Sequence, residues 1–262
     1  MNAAAPAPLP AAAAAPAQAD PPSLELRSLR RVHGTGARQV TALDGVDLRV
    51  RAGEFVAVMG PSGSGKSTLL QLAGGLDTPT SGEVLVHGAA LTALGAAGRA
   101  RIRRGSIGYV FQDLSILPSL TALENVMLPR ELDGVPARRA REEGHAALDA
   151  VGIGELADRL PEDMSGGQAQ RVAIARAIVG PRRLLLADEP TGALDSRTGA
   201  EVVELLRLRA DAGAAVVLVT HEPRFAAWAD RTVQLRDGRV IGQAAPSDPE
   251  LLLAPPHAGG GR

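Results

Sequence analysis

The sequence predicts an α/β fold with a largely parallel central sheet, and three observations carry that expectation. Phe55–Met59, Leu184–Ala187 and Ala215–Thr220 are short runs of mainly apolar residues, as strands covered on both faces require. Helical patterns separate them, which suits crossover connections between parallel strands. A glycine-rich loop, Gly60–Ser67, follows the first of these runs and opens a helix.

Taken in order, Leu24–Val32 alternates as a strand, and a strand pair follows at Val46–Val50 and Glu54–Met59 around the turn Arg51-Ala52-Gly53. A helix is expected over Ser67–Ala73, stopped by Gly74-Gly75. Glu83–Val86 and Ile107–Phe111 are further strand candidates. Residues from about 113 to 170 read as an inserted helical subdomain, with Arg138–Val151 its clearest amphipathic run. A helix over Gln168–Val179 stops at Gly180-Pro181, and another is expected at about 198–211. Two short strands, 232–235 and 239–242, flank the turn Asp237-Gly238. The folded domain is expected over 23–243, between an Ala/Pro-rich tail at 1–22 and a Pro/Gly-rich tail at 244–262.

Composition narrows the function. The 262 residues carry a net charge of −1 and 2% aromatics, so neither a basic stripe nor stacking surfaces point to nucleic acid. The chain has no cysteine and 5 scattered histidines, which leaves no thiolate or zinc framework. The N-terminal stretch lacks a basic start and is broken by prolines, unlike a secretory signal, and no run is long enough to span a membrane. Of 28 basic side chains only Lys66 is a lysine, and it sits inside the glycine-rich loop.

That loop, Gly60-Pro61-Ser62-Gly63-Ser64-Gly65-Lys66-Ser67, fits the phosphate-binding pattern at every fixed position. Glycines let successive backbone N–H groups converge on an anion, and the helix N-terminus adds unpaired donors. Lys66 can reach terminal phosphates, the Ser67 hydroxyl can ligate Mg²⁺, and Thr68 can bond an inner phosphate. The loop alone says only nucleoside triphosphate. Downstream, Leu184–Ala187 ends in two carboxylates. Neighbouring strand positions face opposite sides, which predicts Asp188 on Mg²⁺ and Glu189 toward the attacking water. With one lysine, a guanine-reading Asn-Lys-x-Asp cannot exist elsewhere in the chain.

A second anion-seeking surface lies at Ser165-Gly166-Gly167-Gln168: a good N-cap followed by two glycines that weaken a first turn. With this string the sequence resembles the ATP-binding cassette (ABC) ATPases over about residues 24–243. Met164 to Gln168 matches their signature motif, with Met164 for leucine. Ala187 to Asp195 matches the Walker B and D-loop, Phe111-Gln112 the Q-loop, and Thr220-His221-Glu222 the switch histidine.

The resemblance implies a P-loop NTPase with a RecA-like core, an antiparallel β subdomain and the helical insert. It implies an ATPase in which two copies stack head to tail, each ATP and Mg²⁺ lying between the loop of one and the Ser165 helix of the other. Gln112 then senses metal and water, His221 contacts the γ-phosphate, and Asp195 acts across the interface. His33 falls where the family places an adenine-stacking aromatic, and Ala193 replaces an asparagine of related D-loops. Val58–Leu70, Gly75–Glu83 and Leu117–Pro129 resemble the macrolide-export, lipoprotein-release and cell-division subgroup. Members pair with a separate permease, so the chain is expected on the inner face of the cell membrane through that partner. Leu114, Ile116, Leu117 and Leu120 would contact it. The alternatives are a non-transport cassette of the DNA-repair or translation type and a regulatory ATP-binding module. The first lacks its usual coiled-coil insert here. Against the second stand Lys66, Asp188, Glu189 and His221, all in place.

Overall fold

A computed structural model describes residues 21–192 and 194–245, so the expected tails fall almost wholly outside the described residues, as does Ala193. The first elements are β1 (Leu24–His33), β2 (Val40–Val50), β3 (Phe55–Met59), α1 (Lys66–Ala73), β4 (Ser81–Val86), β5 (Ala89–Ala90), α2 (Ala96–Ser106) and β6 (Ile107–Val110). There follow α3 (Ala122–Leu132), α4 (Ala137–Ala150), α5 (Gly166–Ile178), β7 (Leu184–Asp188), α6 (Ser196–Asp211), β8 (Ala215–Val219), α7 (Pro223–Ala226), β9 (Arg231–Arg236) and β10 (Arg239–Ala244).

Two sheets form. A 6-stranded sheet has the order β10-β9-β3-β8-β7-β6, parallel throughout except for the edge hairpin β9–β10. A 4-stranded antiparallel sheet runs β2-β1-β4-β5. The apolar runs of the sequence are explained by two cores, one on each face of the larger sheet. Phe55, Ala57 and Met59 of β3 point to the core under α3–α6, whereas Val56 and Val58 point to the core shared with α1 and the antiparallel sheet. Strands β7 and β8 divide their residues in the same way. Each buried Leu or Val contributes about 1.5–3 kcal/mol, so neither face tolerates a polar residue cheaply.

The helical insert is built as the amphipathic run predicts. In α4, Ala140, Gly144, Ala147 and Leu148 are buried at helical spacing. The helix α3 opens with a capping box between Thr121 and Glu124. The expected subdomain boundary at 170 cuts α5, which runs unbroken to Ile178.

Several elements depart from expectation: β5 was not foreseen, and β2 and β3, expected as a strand pair, lie in different sheets. Strand β2 begins at Val40, not Val46, because it pairs along the whole length of β1 and not only at its end. The helix α2 was not expected: it buries none of its residues, so it has no apolar stripe to read. The four-residue α7 is too short to show a period.

Candidate functional site

The chain leaves β3 through the glycine-rich loop into α1. Gly60 has φ 155°, and a Cβ there would lie 2.0 Å from the Leu235 carbonyl oxygen. Gly65, at φ 102°, is the N-cap of α1, and its Cβ would lie 2.3 Å from the Ala42 carbonyl oxygen. Only glycine meets both conditions, so the loop is forced into its curl by contact with β9 and β2. The Lys66 ammonium donates to the carbonyls of Gly60 and Pro61, both at 2.9 Å.

The loop forms one wall of a cleft of about 780 Å³. Gly60, Pro61, Ser62, Gly63, Gly65, Lys66, Ser67 and Thr68 all line it, whereas Ser64 is turned inward and only 2% exposed. The Ser64 side chain therefore does not line the cleft. Gln112, Asp188, Glu189 and His221 line the same cleft, so the two acidic residues, the glutamine and the histidine converge on the loop as the sequence requires.

Asp188 ends β7 and is 5% exposed. Burial pushes its carboxyl above the usual aspartate range; the neighbouring Ser67 hydroxyl lowers it, Glu189 raises it, and Lys66 lowers it. Its Oδ1 is buried without a protein partner. Glu189 is set apart from Asp188 by a turn and not by strand pleating, because it has left the strand and adopts φ 46°. A left-handed non-glycine residue costs about 1–2 kcal/mol. Its backbone N–H donates to the Val219 carbonyl at 3.0 Å, which holds the strained turn against β8. The turn aims the carboxylate at His221, whose Nδ1 lies 2.9 Å from Oε1 and 3.0 Å from Oε2. An ionised carboxylate only accepts, so the proton sits on Nδ1 and leaves Nε2 as the second polar atom of the ring.

Among the described residues, His33, Asp195 and the string Ser165-Gly166-Gly167-Gln168 also lie outside the cleft. His33 ends β1 and pairs with Val40; it is Val40, Thr41 and Ala42 of β2 that line the cleft's second wall. The sequence reading missed them because it began β2 six positions later; the Gly34-Thr35-Gly36 turn before an alternating run was the available hairpin signal. Asp195 caps α6, accepting from the N–H groups of Arg197 and Thr198 at 3.0 Å each and from the Thr198 hydroxyl at 2.9 Å. Those bonds hold its carboxyl below the usual range, the Thr198 N–H most.

Ser165 caps α5 in a capping box: its Oγ accepts from Gln168 N–H at 3.2 Å, and its own N–H donates to Gln168 Oε1 at 2.9 Å. Since the Gln168 and Ala169 N–H groups are bonded within the helix start, the donors it can offer a ligand are the N–H groups of Gly166 and Gly167 and the Ser165 hydroxyl, whose oxygen only accepts within the chain.

A phosphate loop, an acidic strand end and a histidine beside it, on a sheet with β8 between β3 and β7, define a P-loop nucleoside-triphosphatase. The profile of the family described as "ABC transporter" matches residues 43–192, and the chain belongs to that family. It is 44% identical over 240 residues to the macrolide export ATP-binding/permease protein MacB of Brucella melitensis biotype 1, covering 90% of this chain and 37% of that protein. It is 45% identical over 234 residues to the pyoverdine export ATP-binding/permease protein PvdT of Pseudomonas fluorescens, covering 89% of this chain and 36% of that one. The chain thus spans little more than a third of the length of these curated relatives. Among solved structures, the dimeric bacterial ABC transporter cassette MJ0796 superposes with a TM-score of 0.81 at 40% identity, over 86% of this chain and 99% of that one. A post-hydrolysis dimer of the same cassette, bound to ADP and Pi, gives a TM-score of 0.80 at 39% identity.

Proposed function

We propose that this chain is the ATP-hydrolysing subunit of an export or force-transmitting ABC complex, and that it works as a pair around two ATP molecules. The observation that carries the pairing is the contrast between its glycines. Gly60 and Gly65 are demanded by the chain's own packing. Gly166 and Gly167 are not: neither has a positive φ, a Cβ at Gly166 meets nothing within 4 Å, and one at Gly167 meets only Leu194 Cδ2 at 3.4 Å. Glycine there weakens a helix start for no reason within the chain, so the reason lies outside it: a ligand approaching the bare backbone. Among the described residues this helix start does not line the cleft, so that ligand sits in the loop of a second copy.

The residues then divide the work. The loop's N–H groups and Lys66 hold the triphosphate, and Thr68 bonds an inner phosphate. Val40, Thr41 and Ala42 offer the base an apolar and hydroxyl wall, with His33 on the strand alongside. The donor set fits Mg²⁺: a buried Asp188 oxygen lacking a partner, the Ser67 hydroxyl beside it and the Gln112 side-chain oxygen are hard ligands. Bound there, the ion would neutralise charge on the phosphates. Glu189 takes the proton of the attacking water, and His221 fixes the carboxylate's orientation through Nδ1. Asp195, by capping α6, sets the strand-to-helix turn that reaches the facing copy.

The relatives' names join ATP-binding to permease parts, which favours a membrane partner. No helix among the described residues is long and apolar enough to cross a membrane; the reading puts the chain at the inner face through that permease part. Leu117 is 42% exposed, and Leu114, Ile116 and Leu120 are only partly buried, which leaves apolar area beside Gln112 for it.

In sizing with MgATP, Glu189→Gln is expected to form a stable dimer with ATP retained, because the site assembles while water is not activated. A variant that hydrolyses normally, or stays monomeric with ATP bound, overturns the assignment. Lys66→Ala is expected to lose nucleotide binding by at least about a hundredfold, read by calorimetry.

A further inference from the structure

The cleft has two walls that belong to different sheets, the phosphate loop after β3 and the start of β2. One small turn touches both. It is Asp237-Gly238, which closes the β9–β10 hairpin with φ 49° and 72°. The Gly238 N–H donates to the Ser64 carbonyl in the loop at 3.0 Å, and the Gly238 carbonyl accepts from the Asp44 N–H in β2 at 2.9 Å. A Cβ at Gly238 would fall 2.8 Å from the Ala42 carbonyl oxygen and 3.0 Å from Leu43 Cα, so the turn abuts β2 with no spare room. The next residue, Arg239, pairs with Asp44 through Nη2 at 2.5 Å and Nε at 3.0 Å.

We propose that this turn is a spacer that fixes the separation of the two walls, making Gly238 and Arg239 positioning residues for the nucleotide. Neither touches the ligand. The inference rests on the nucleotide-cleft reading above, and its chemistry is specific. A ligand that bridges the walls, base on one and phosphates on the other, depends on the spacing. A ligand held by the loop alone does not. A methyl at Gly238 would meet the Ala42–Leu43 main chain at 2.8–3.1 Å, so the turn and β2 must shift against one another, because the obstructing atoms are main chain and not a flexible tip.

The test compares MgATP with magnesium tripolyphosphate, each displacing a fluorescent ATP analogue from the full chain. Gly238→Ala is expected to weaken ATP about tenfold or more while tripolyphosphate changes less than about twofold. Arg239→Ala, which leaves the backbone untouched, is expected to shift the ratio the same way by a smaller factor. Gly134→Ala is the control: its φ of 78° carries similar strain, but a Cβ there meets nothing within 4 Å, so both affinities should hold. Equal losses for both ligands, no loss for either, or the same ratio shift in Gly134→Ala each overturn the spacer. So does a wild-type chain that binds ATP but not tripolyphosphate, since the walls would not then act separately. A wild-type chain that binds neither ligand speaks instead against the nucleotide cleft itself.

Discussion

At the residue scale the site is a place where stability yields to chemistry. Asp188 carries a carboxylate into the interior next to Glu189, with only Ser67 and Lys66 to favour its charge, so burial raises its pKa. A raised carboxyl holds its proton more tightly folded than unfolded, and the folded state loses stability as pH climbs above the ordinary aspartate range of about 4. Asp188→Asn removes that cost. Its melting temperature without nucleotide is expected to match wild type in acid and exceed it at neutral pH, while the MgATP-induced rise in melting temperature disappears. A variant less stable than wild type at neutral pH would mean that the carboxylate is held by favourable contacts. The identities of Lys66, Ser67, Asp188 and Glu189 were legible because motif spacing fixes them. The φ 46° turn that separates Glu189 from Asp188 was not, since nothing in a glutamate announces a left-handed backbone.

At the element scale, two side chains, Asn125 and Arg176, tie the segment after Gln112 to the helical insert. Asn125 of α3 is fully buried, and its Oδ1 accepts from Leu117 N–H at 2.9 Å. Its Nδ2 donates to the carbonyls of Leu117, Leu120 and Thr121 at 3.0, 2.9 and 3.0 Å. Arg176 of α5 grips the same stretch further back, through the carbonyls of Leu114 and Ser115. Asn125→Ala strands several backbone groups, and the expected loss is about 2–3 kcal/mol in chemical denaturation. With a permease present, the variant's ATPase is expected to lose stimulation more than basal rate, because the loosened segment carries Leu117 and Leu120. Loss of basal rate alone would place Asn125 in service of the nucleotide cleft. Sequence pattern found α4 by its buried stripe and α5 from Gln168 onward, and it placed α3 only within a broadly helical 113–170. It missed α2, an arginine-rich helix without a buried side, and the first half of β2, whose strand character comes from pairing with β1.

At the scale of the whole molecule, the proposed pairing would distribute one reaction over two surfaces that a single chain keeps apart. The two-copy site makes complementation possible. An aspartate suits a helix's first turn and a Cβ at Gly166 meets nothing within 4 Å, so Gly166→Asp should fold well, yet it sets a negative charge against phosphate. Lys66→Ala damages the other surface. In a Glu189→Gln background, each variant alone is expected to remain monomeric with MgATP. Mixed, they can form one intact site, built from the loop of the Gly166→Asp copy and the helix start of the Lys66→Ala copy. A heterodimer detected by sedimentation or mass spectrometry is the expected result, with one ATP per pair. If mixing yields none while the Glu189→Gln chain alone dimerises, the helix start and the loop do not share a nucleotide, and the bare backbone at Gly166 and Gly167 needs another explanation.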